Sequence, residues 1–188
     1  MARPLTKKDE LIDAALSLFM RKGIKATTTR DIALRAGISE GTIYRHFESK
    51  EELAEKLFEE NLDYFWKFLK GYLKNTKTPE EMLQAYVKGF FEFSRREQRR
   101  YGFLIAAHQT ELKKLSREKM KPKQMLSKIL RLGQTQGRFR KIDVHLAGAM
   151  VMGTVMQTIF YLKSGRIAVN YDDVVDEVVT TCLRMVKK

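Results

Sequence analysis

TTRDIALRAGISEGTIYRHF, residues 28–47, reads as two short helices joined by a tight turn. Thr28 can cap the first, which ends near Ala36; Gly37 makes the turn; Ser39 can cap the second, which runs to about Phe47. Ala33 is small where the second helix must cross closely, and Ile38, Ile43 and Phe47 are apolar anchors for Leu11, Leu16 and Phe19 of a preceding helix. At about 100° per residue, Ile43 and Phe47 share one face. Gly41 and Arg45 then lie near the opposite face, with Thr42 and Tyr44 on its flanks. Such a pair is a DNA-reading unit whose second helix can enter a major groove. A plain helix pair in a bundle would share the periodicity, but capped helices, a turn glycine and exposed donors agree here at fixed spacing.

The side chains sort by chemistry. Arg45 can offer guanine a bidentate donor pair, and Gly41 lets the backbone approach base edges or a thymine methyl. Thr42, Tyr44 and His46 suit phosphate, and Thr28, Thr29, Ser39 and Lys50 lie at helix starts, where amides and positive charge attract it. Arg30 can reach a base or a phosphate. Glu40 can accept from cytosine or simply repel DNA, and His46 can equally bond to its own protein.

Outward from this stretch, apolar spacing predicts helices almost everywhere. Leu11, Ile12, Ala15, Leu16, Leu18 and Phe19 form the stripe of a first helix stopped by Gly23. Ser49, with Glu52 placed for a capping box, opens a fourth helix that extends to about Leu73. After a polar break at 75–78, Thr78, Pro79 and Glu81 start a helix striped by Met82, Leu83, Tyr86, Val87, Phe90 and Phe91. Further helices are expected over 101–108 and 122–132, with Gly133 and Gly137 bracketing a loop. Asp143 starts an apolar helix that Gly165 ends, and the stripe from Val174 to Val186 predicts a terminal helix, although its β-branched residues also suit a strand. The expectation is an all-α chain: a three-helix helix-turn-helix head over residues 1–50 and a helical body over 51–188.

The 188 residues carry a formal charge of +13 with 44% hydrophobic residues, which excludes a long multidomain enzyme and a disordered chain. A single cysteine, Cys182, excludes an intramolecular disulfide framework, and His46, His108 and His145 are too scattered for familiar metal spacing. The first eight residues lack the apolar stretch of a secretory signal, so a reducing cytoplasm fits. No nucleophile elbow, phosphate-cradling glycine loop or metal-ligand pair stands out, so neither an enzyme nor a cofactor is expected. Residues 144–162 are long and apolar enough to span a bilayer, but His145, Thr154, Gln157 and Thr158 argue for a buried or subunit-interface helix and no membrane.

Residues 28–47, with the first helix and SKEEL at 49–53, closely resemble the DNA-binding head of the tetracycline-repressor (TetR) family. The resemblance implies a homodimer on a double-stranded operator, a ligand-binding and dimerisation role for the helical body over 51–188, and a transcription factor, most often a repressor, released by a small molecule. Carried over by position, Thr29, Arg30, Thr42, Tyr44, Arg45, His46 and Lys50 match the family's DNA-contacting places. Glu40 departs from it, being acidic where many members are neutral or basic.

Most of the positive charge lies elsewhere. Residues 1–50 hold ten Lys or Arg against six acids, whereas 95–141 hold fifteen against three. The second excess is either a solvated face or an attraction for an anion. Tyr64, Phe65, Phe68, Tyr86, Phe90, Phe93, Phe103, Met152, Met156 and Phe160 are either core or the lining of an apolar cavity. Basic residues beside such a cavity would suit a small hydrophobic or anionic amphipathic effector such as a long-chain acyl thioester. A DNA-bound interaction protein whose body recognises another protein is the alternative.

Overall fold

The computed structural model describes residues 6–108 and 121–188. Among them are nine helices and no strand: α1 (Lys7–Lys22), α2 (Thr29–Ala36), α3 (Glu40–Tyr44), α4 (Lys50–Leu73), α5 (Pro79–Arg96), α6 (Gln98–His108), α7 (Lys121–Thr135), α8 (Val144–Lys163) and α9 (Tyr171–Val186). The fold is all-α. It separates into two compact units, Met1–Tyr64 with Glu97–Lys119 and Phe65–Arg96 with Met120–Lys188, so the division falls inside α4.

The first unit is built on α1, whose buried Leu11, Ala14, Ala15, Leu16, Leu18 and Phe19 repeat at helical spacing. Both ends of α1 are chemically set: Thr6 and Asp9 form a reciprocal capping box, and Gly23 leaves the helix at φ 80°. α2 packs on α1 and α3 on α2, and the unit also buries Ile32 and Ala33 of α2, Ile43 of α3, Phe47, and Leu53, Ala54, Leu57 and Phe58 of α4. α6 belongs to this core as well. Phe103 is fully buried with its ring stacked 6.1 Å from Phe19, and Arg99 pairs with Asp13 of α1.

The second unit joins α5, α7, α8 and α9. α5 buries Leu83, Tyr86, Val87, Phe90, Phe91 and Phe93; α7 contributes Leu126, Ile129 and Leu130. The terminal run is a helix, because its buried residues Val175, Val178, Val179, Cys182, Leu183 and Val186 keep a period near 3.6, and the Asn170 side chain accepts from the amides of Asp172 and Asp173. α8 buries only one narrow stripe, Val144, Ala147, Val151, Val155 and Ile159. It is the one described helix long and apolar enough to cross a bilayer, at a mean hydropathy of 1.3.

Three local expectations are corrected. α3 ends at Tyr44 rather than near Phe47, because the amides of His46 and Phe47 both bond to the Ile43 carbonyl as Phe47 turns into the core. Ser39 makes no backbone cap; its hydroxyl lies 3.0 Å from that of Thr42. Gly133 does not open a loop: α7 continues to Thr135, and the chain then folds back so that the Gly133 carbonyl accepts the amides of Arg138 and Phe139, each at 2.9 Å.

That return fixes the role of Gly133. A Cβ there would lie 2.1 Å from Cδ2 of Phe139, a ring that is itself 2% exposed and has no space to retreat into. At Gly102 a Cβ would meet only the Met20 side chain, whose unbranched end comes to 2.7 Å and can swing aside. Gly133→Ala should therefore destabilise the protein by about 1–3 kcal/mol through overpacking, while Gly102→Ala should be close to neutral. Urea unfolding of the two variants checks this, and equal midpoints would contradict it.

Candidate nucleic-acid interface and aromatic core

The reading surface is set by how α2 is capped and α3 is pinned. The Thr28 hydroxyl accepts from the Asp31 amide at 3.0 Å, and the Asp31 carboxylate accepts from the Thr28 amide at 3.2 Å. The Thr28 amide, its hydroxyl and Lys22 together outweigh desolvation and hold the Asp31 carboxyl below its ordinary value. Gly37 then turns the chain in the left-handed region, at φ 63° and ψ 35°. Beyond the turn Ile43 is fully buried and Phe47 nearly so, which leaves Gly41, Tyr44, Arg45 and His46 exposed and Thr42 half-buried.

The exposed groups are already bonded among themselves. Arg45 Nη2 donates to Thr42 Oγ1 at 3.1 Å, and Thr29 Oγ1 donates to Glu40 Oε2 at 2.9 Å. The Tyr44 hydroxyl lies 3.4 Å from Thr29 Oγ1. Thr28 and Arg30 are exposed, as is Ser39. The His46 ring is tilted over Phe47 at 6.4 Å. Lys50 is the least available: its side chain is 17% exposed, and Nζ donates to the Lys25 carbonyl at 3.3 Å beside Glu51. The Thr29–Glu40 bond joins side chains eleven residues apart, and sequence periodicity, which assigns faces, carries no signal for it.

In the second unit six of the aromatic and methionine candidates meet around α5. The Phe65 ring is 4.8 Å from Phe90, edge-on, and 4.4 Å from Phe93; Phe68 is 5.4 Å from Phe93. Tyr86 lies 6.0 Å from Phe90 and its hydroxyl donates to the Met152 sulfur at 3.7 Å, while burial pushes its phenol far above the ordinary value. Tyr72, which the sequence reading did not single out, extends the cluster by stacking 5.4 Å from Phe68. Met156 is half-buried and Phe160 is 54% exposed on α8. Two candidates lie in the first unit instead: Phe103 in its core, and Tyr64, which donates to Glu97 Oε1 at 2.9 Å with the Arg100 guanidinium 4.3 Å above its ring. Cys182 is fully buried, which pushes its thiol up to about 11 and makes it packing rather than a nucleophile.

The basic stretch 95–141 is partly committed to the protein's own structure. Arg95 and Arg96 both bond to Glu92, Arg100 Nη1 donates to the buried Asn61 at 2.7 Å, Arg138 Nε donates to Glu80 at 2.7 Å, and Arg140 Nε donates to the Met185 carbonyl at 2.7 Å. Burial would raise the Glu92 carboxyl, but the two arginines outweigh it and hold it below its ordinary value. Lys113, Lys114, Arg117 and Lys119 lie outside the described residues.

Residues 11–57 match the family described as "Bacterial regulatory proteins, tetR family". Over 174 residues the chain is 30% identical to the HTH-type transcriptional repressor KstR2 of Mycolicibacterium smegmatis, covering 87% of this chain and 83% of that one. It is 27% identical over 168 residues to the fatty acid metabolism regulator protein of Bacillus subtilis, covering 85% and 84%. The solved structure of the ketosteroid transcriptional regulator KstR2 of Mycobacterium tuberculosis superposes with a TM-score of 0.77 at 26% identity, covering 99% of this chain and 97% of that one. A head in which α3 is anchored from within and exposes a polar face agrees with these likenesses, and the chain belongs to the TetR family of bacterial helix-turn-helix transcriptional regulators, not to the enzymes.

Proposed function

We propose that the protein is a repressor that binds a palindromic DNA operator as a homodimer in the cytoplasm and leaves it when a small hydrophobic or amphipathic effector occupies the helical body. In this reading residues 1–50 are the functional DNA-binding domain and 51–188 the ligand-binding and dimerisation domain. The observation that carries it is α4, one unbroken helix that starts at Lys50 directly after the reading helix and bears Phe65 and Phe68 of the aromatic cluster near its other end. An effector that binds one arrangement of the two reading helices better than another shifts the population between them; equal affinity would shift nothing.

The aromatic cluster, with the adaptable Met152 beside it, supports an apolar guest. Relatives named as regulators of fatty acid metabolism and as a ketosteroid regulator support the same class, of which a long-chain acyl thioester is the candidate probe. A second reading, a DNA-bound protein whose body recognises another protein, is favoured by the way Phe65, Phe90 and Phe93 fill one another's space.

Dimerisation is assigned to α8 and α9. The buried stripe of α8 leaves Leu146, Ala149, Gly153, Phe160 and Tyr161 exposed. Gly153 has nothing within 4 Å of where a Cβ would sit, so a second backbone can approach it; Gly148 instead looks onto Leu126 and Leu130 at 3.9 Å. On the DNA side Arg45 and Gly41 are the base readers. Thr28, Arg30, Ser39, Thr42, His46 and Lys50 position the backbone, whereas Thr29 and Tyr44 reach it only by releasing the bonds that tie them to Glu40 and to each other.

Three measurements test this reading. Acyl thioesters of increasing chain length, titrated into a labelled operator complex, should lower its anisotropy, and Phe68→Ala should weaken that response; a saturated complex that holds operator as tightly as the free protein would favour the protein-recognition reading. Gly153→Glu should dissociate the dimer in sedimentation and lose operator affinity with α3 untouched, and an intact dimer with normal binding counts against the α8 interface. Arg45→Ala should relax preference at one base pair in each half-site by roughly 1–3 kcal/mol, whereas Lys50→Ala should weaken all sequences alike and lower the salt slope by about one per phosphate contact. Titration of operator variants at several salt concentrations separates the two, and exchanged behaviour would reverse the assignments.

A further inference from the structure

Glu40 lies in the first turn of the reading helix, half-buried, one turn before Tyr44 on the same side. A hydroxyl carries one proton, and the Thr29 proton is committed to Glu40 Oε2 at 2.9 Å. The 3.4 Å contact between Thr29 and Tyr44 must therefore be made by the Tyr44 O–H donating to Thr29. The carboxylate thus turns two hydroxyls inward through a relay from Tyr44 to Thr29 to Glu40. With both protons committed to that relay, the groups left for a partner at this edge are Glu40 Oε1 and the Tyr44 oxygen, both acceptors. The anchor is fixed in turn, since Thr29 is the first residue of α2, whose start is locked by the Thr28–Asp31 capping box.

An acceptor edge finds no partner among phosphate oxygens, which are acceptors themselves; only base amines supply protons to it. In the major groove adenine sets its N6 amine beside the N7 acceptor, which would repel a carboxylate, whereas cytosine offers its N4 amine without a neighbouring acceptor of its own. We propose that Glu40 is a specificity-determining residue that reads the N4 amine of a cytosine in each half-site and, held in place by Thr29, penalises every other base there. This rests on the operator-binding reading of α3 above. The penalty is intrinsic to the charge: a carboxylate in the field of DNA is repelled unless an amine meets it, so discrimination comes mainly from what is rejected.

The test is selection from a library of randomised palindromes, followed by titration of single-position variants, with the wild type, Glu40→Gln and Thr29→Val. The wild type should select cytosine at one position of each half-site. In Glu40→Gln that preference should fall about tenfold or more, with adenine now accepted because an amide pairs with both N6 and N7, while affinity for unrelated DNA rises. Thr29→Val keeps the charge and removes its tether, so it should weaken the cytosine preference without admitting adenine. An unchanged base profile for Glu40→Gln at every position, or a uniform change for all sequences, overturns the assignment of Glu40 while leaving operator binding intact. A wild type with no sequence preference overturns the operator reading as well.

Discussion

A five-residue helix cannot hold its own shape in water, because nucleation costs more than so few backbone bonds return. Everything the reading face can do therefore depends on the burial of Ile43 and Phe47. Ile43 is fully excluded from solvent, and the Ile43 carbonyl also receives the amides of His46 and Phe47, so the same residue anchors the helix and ends it. Truncating such a side chain would remove buried contacts and leave a cavity, which commonly costs about 2–5 kcal/mol. With the apolar side carrying the anchoring, the polar residues of α3 stay at the surface, where Glu40 is tied to Thr29 of α2 and Thr42 to Arg45.

The core that receives Ile43 is larger than the first fifty residues. α6 adds Phe103 against Phe19, and two polar ties accompany it: Arg99 with Asp13, and Arg100 with Asn61. Asn61 is 1% exposed, and both ends of its amide are satisfied, its nitrogen by the Leu57 carbonyl at 2.6 Å and its oxygen by Arg100. An arginine is suited to this task because one planar group can bond to Asn61, pair with Glu97 at 3.3 Å and lie over the Tyr64 ring at once. Removing it would leave a buried amide oxygen without a partner, a penalty larger than the bond itself contributes.

What could be read from the sequence was whatever depends on neighbours within a turn or two. The caps at Thr28, Thr78 and Asp143 act over two or three residues, and the stripes of α1, α5 and α9 act over four, so order, type and approximate length of most helices followed from local spacing. Pairings between distant residues did not. Nothing near Gly133 announces that Phe139 returns to lie on it, and nothing near Phe103 distinguishes a partner in α1 from one in α5. Lys50 illustrates the same limit: nothing near it announces that its ammonium also donates to the Lys25 carbonyl, a contact across twenty-five positions.

Net charge has the same character. A surplus of arginine between 95 and 141 looks like an anion site when counted, but a count cannot separate guanidinium groups that face solvent from those that finish helix ends and loops. Arg140 bonds to the Met185 carbonyl near the end of α9, where the last helical carbonyls lack amide partners, and Arg138 reaches Glu80 in the first turn of α5. Both contacts pin the segment that follows α7 and carries Phe139 over Gly133, so this part of the positive charge is accounted for by chain closure. On the reading face the balance is reversed: a single carboxylate, Glu40, takes up one threonine proton and thereby fixes the direction in which Thr29 and Tyr44 can donate. The placement of one acid against two hydroxyls determines that edge more than the thirteen net positive charges of the whole chain, because hydrogen-bond direction is set within about 3 Å whereas exposed charge is screened beyond roughly 8–10 Å.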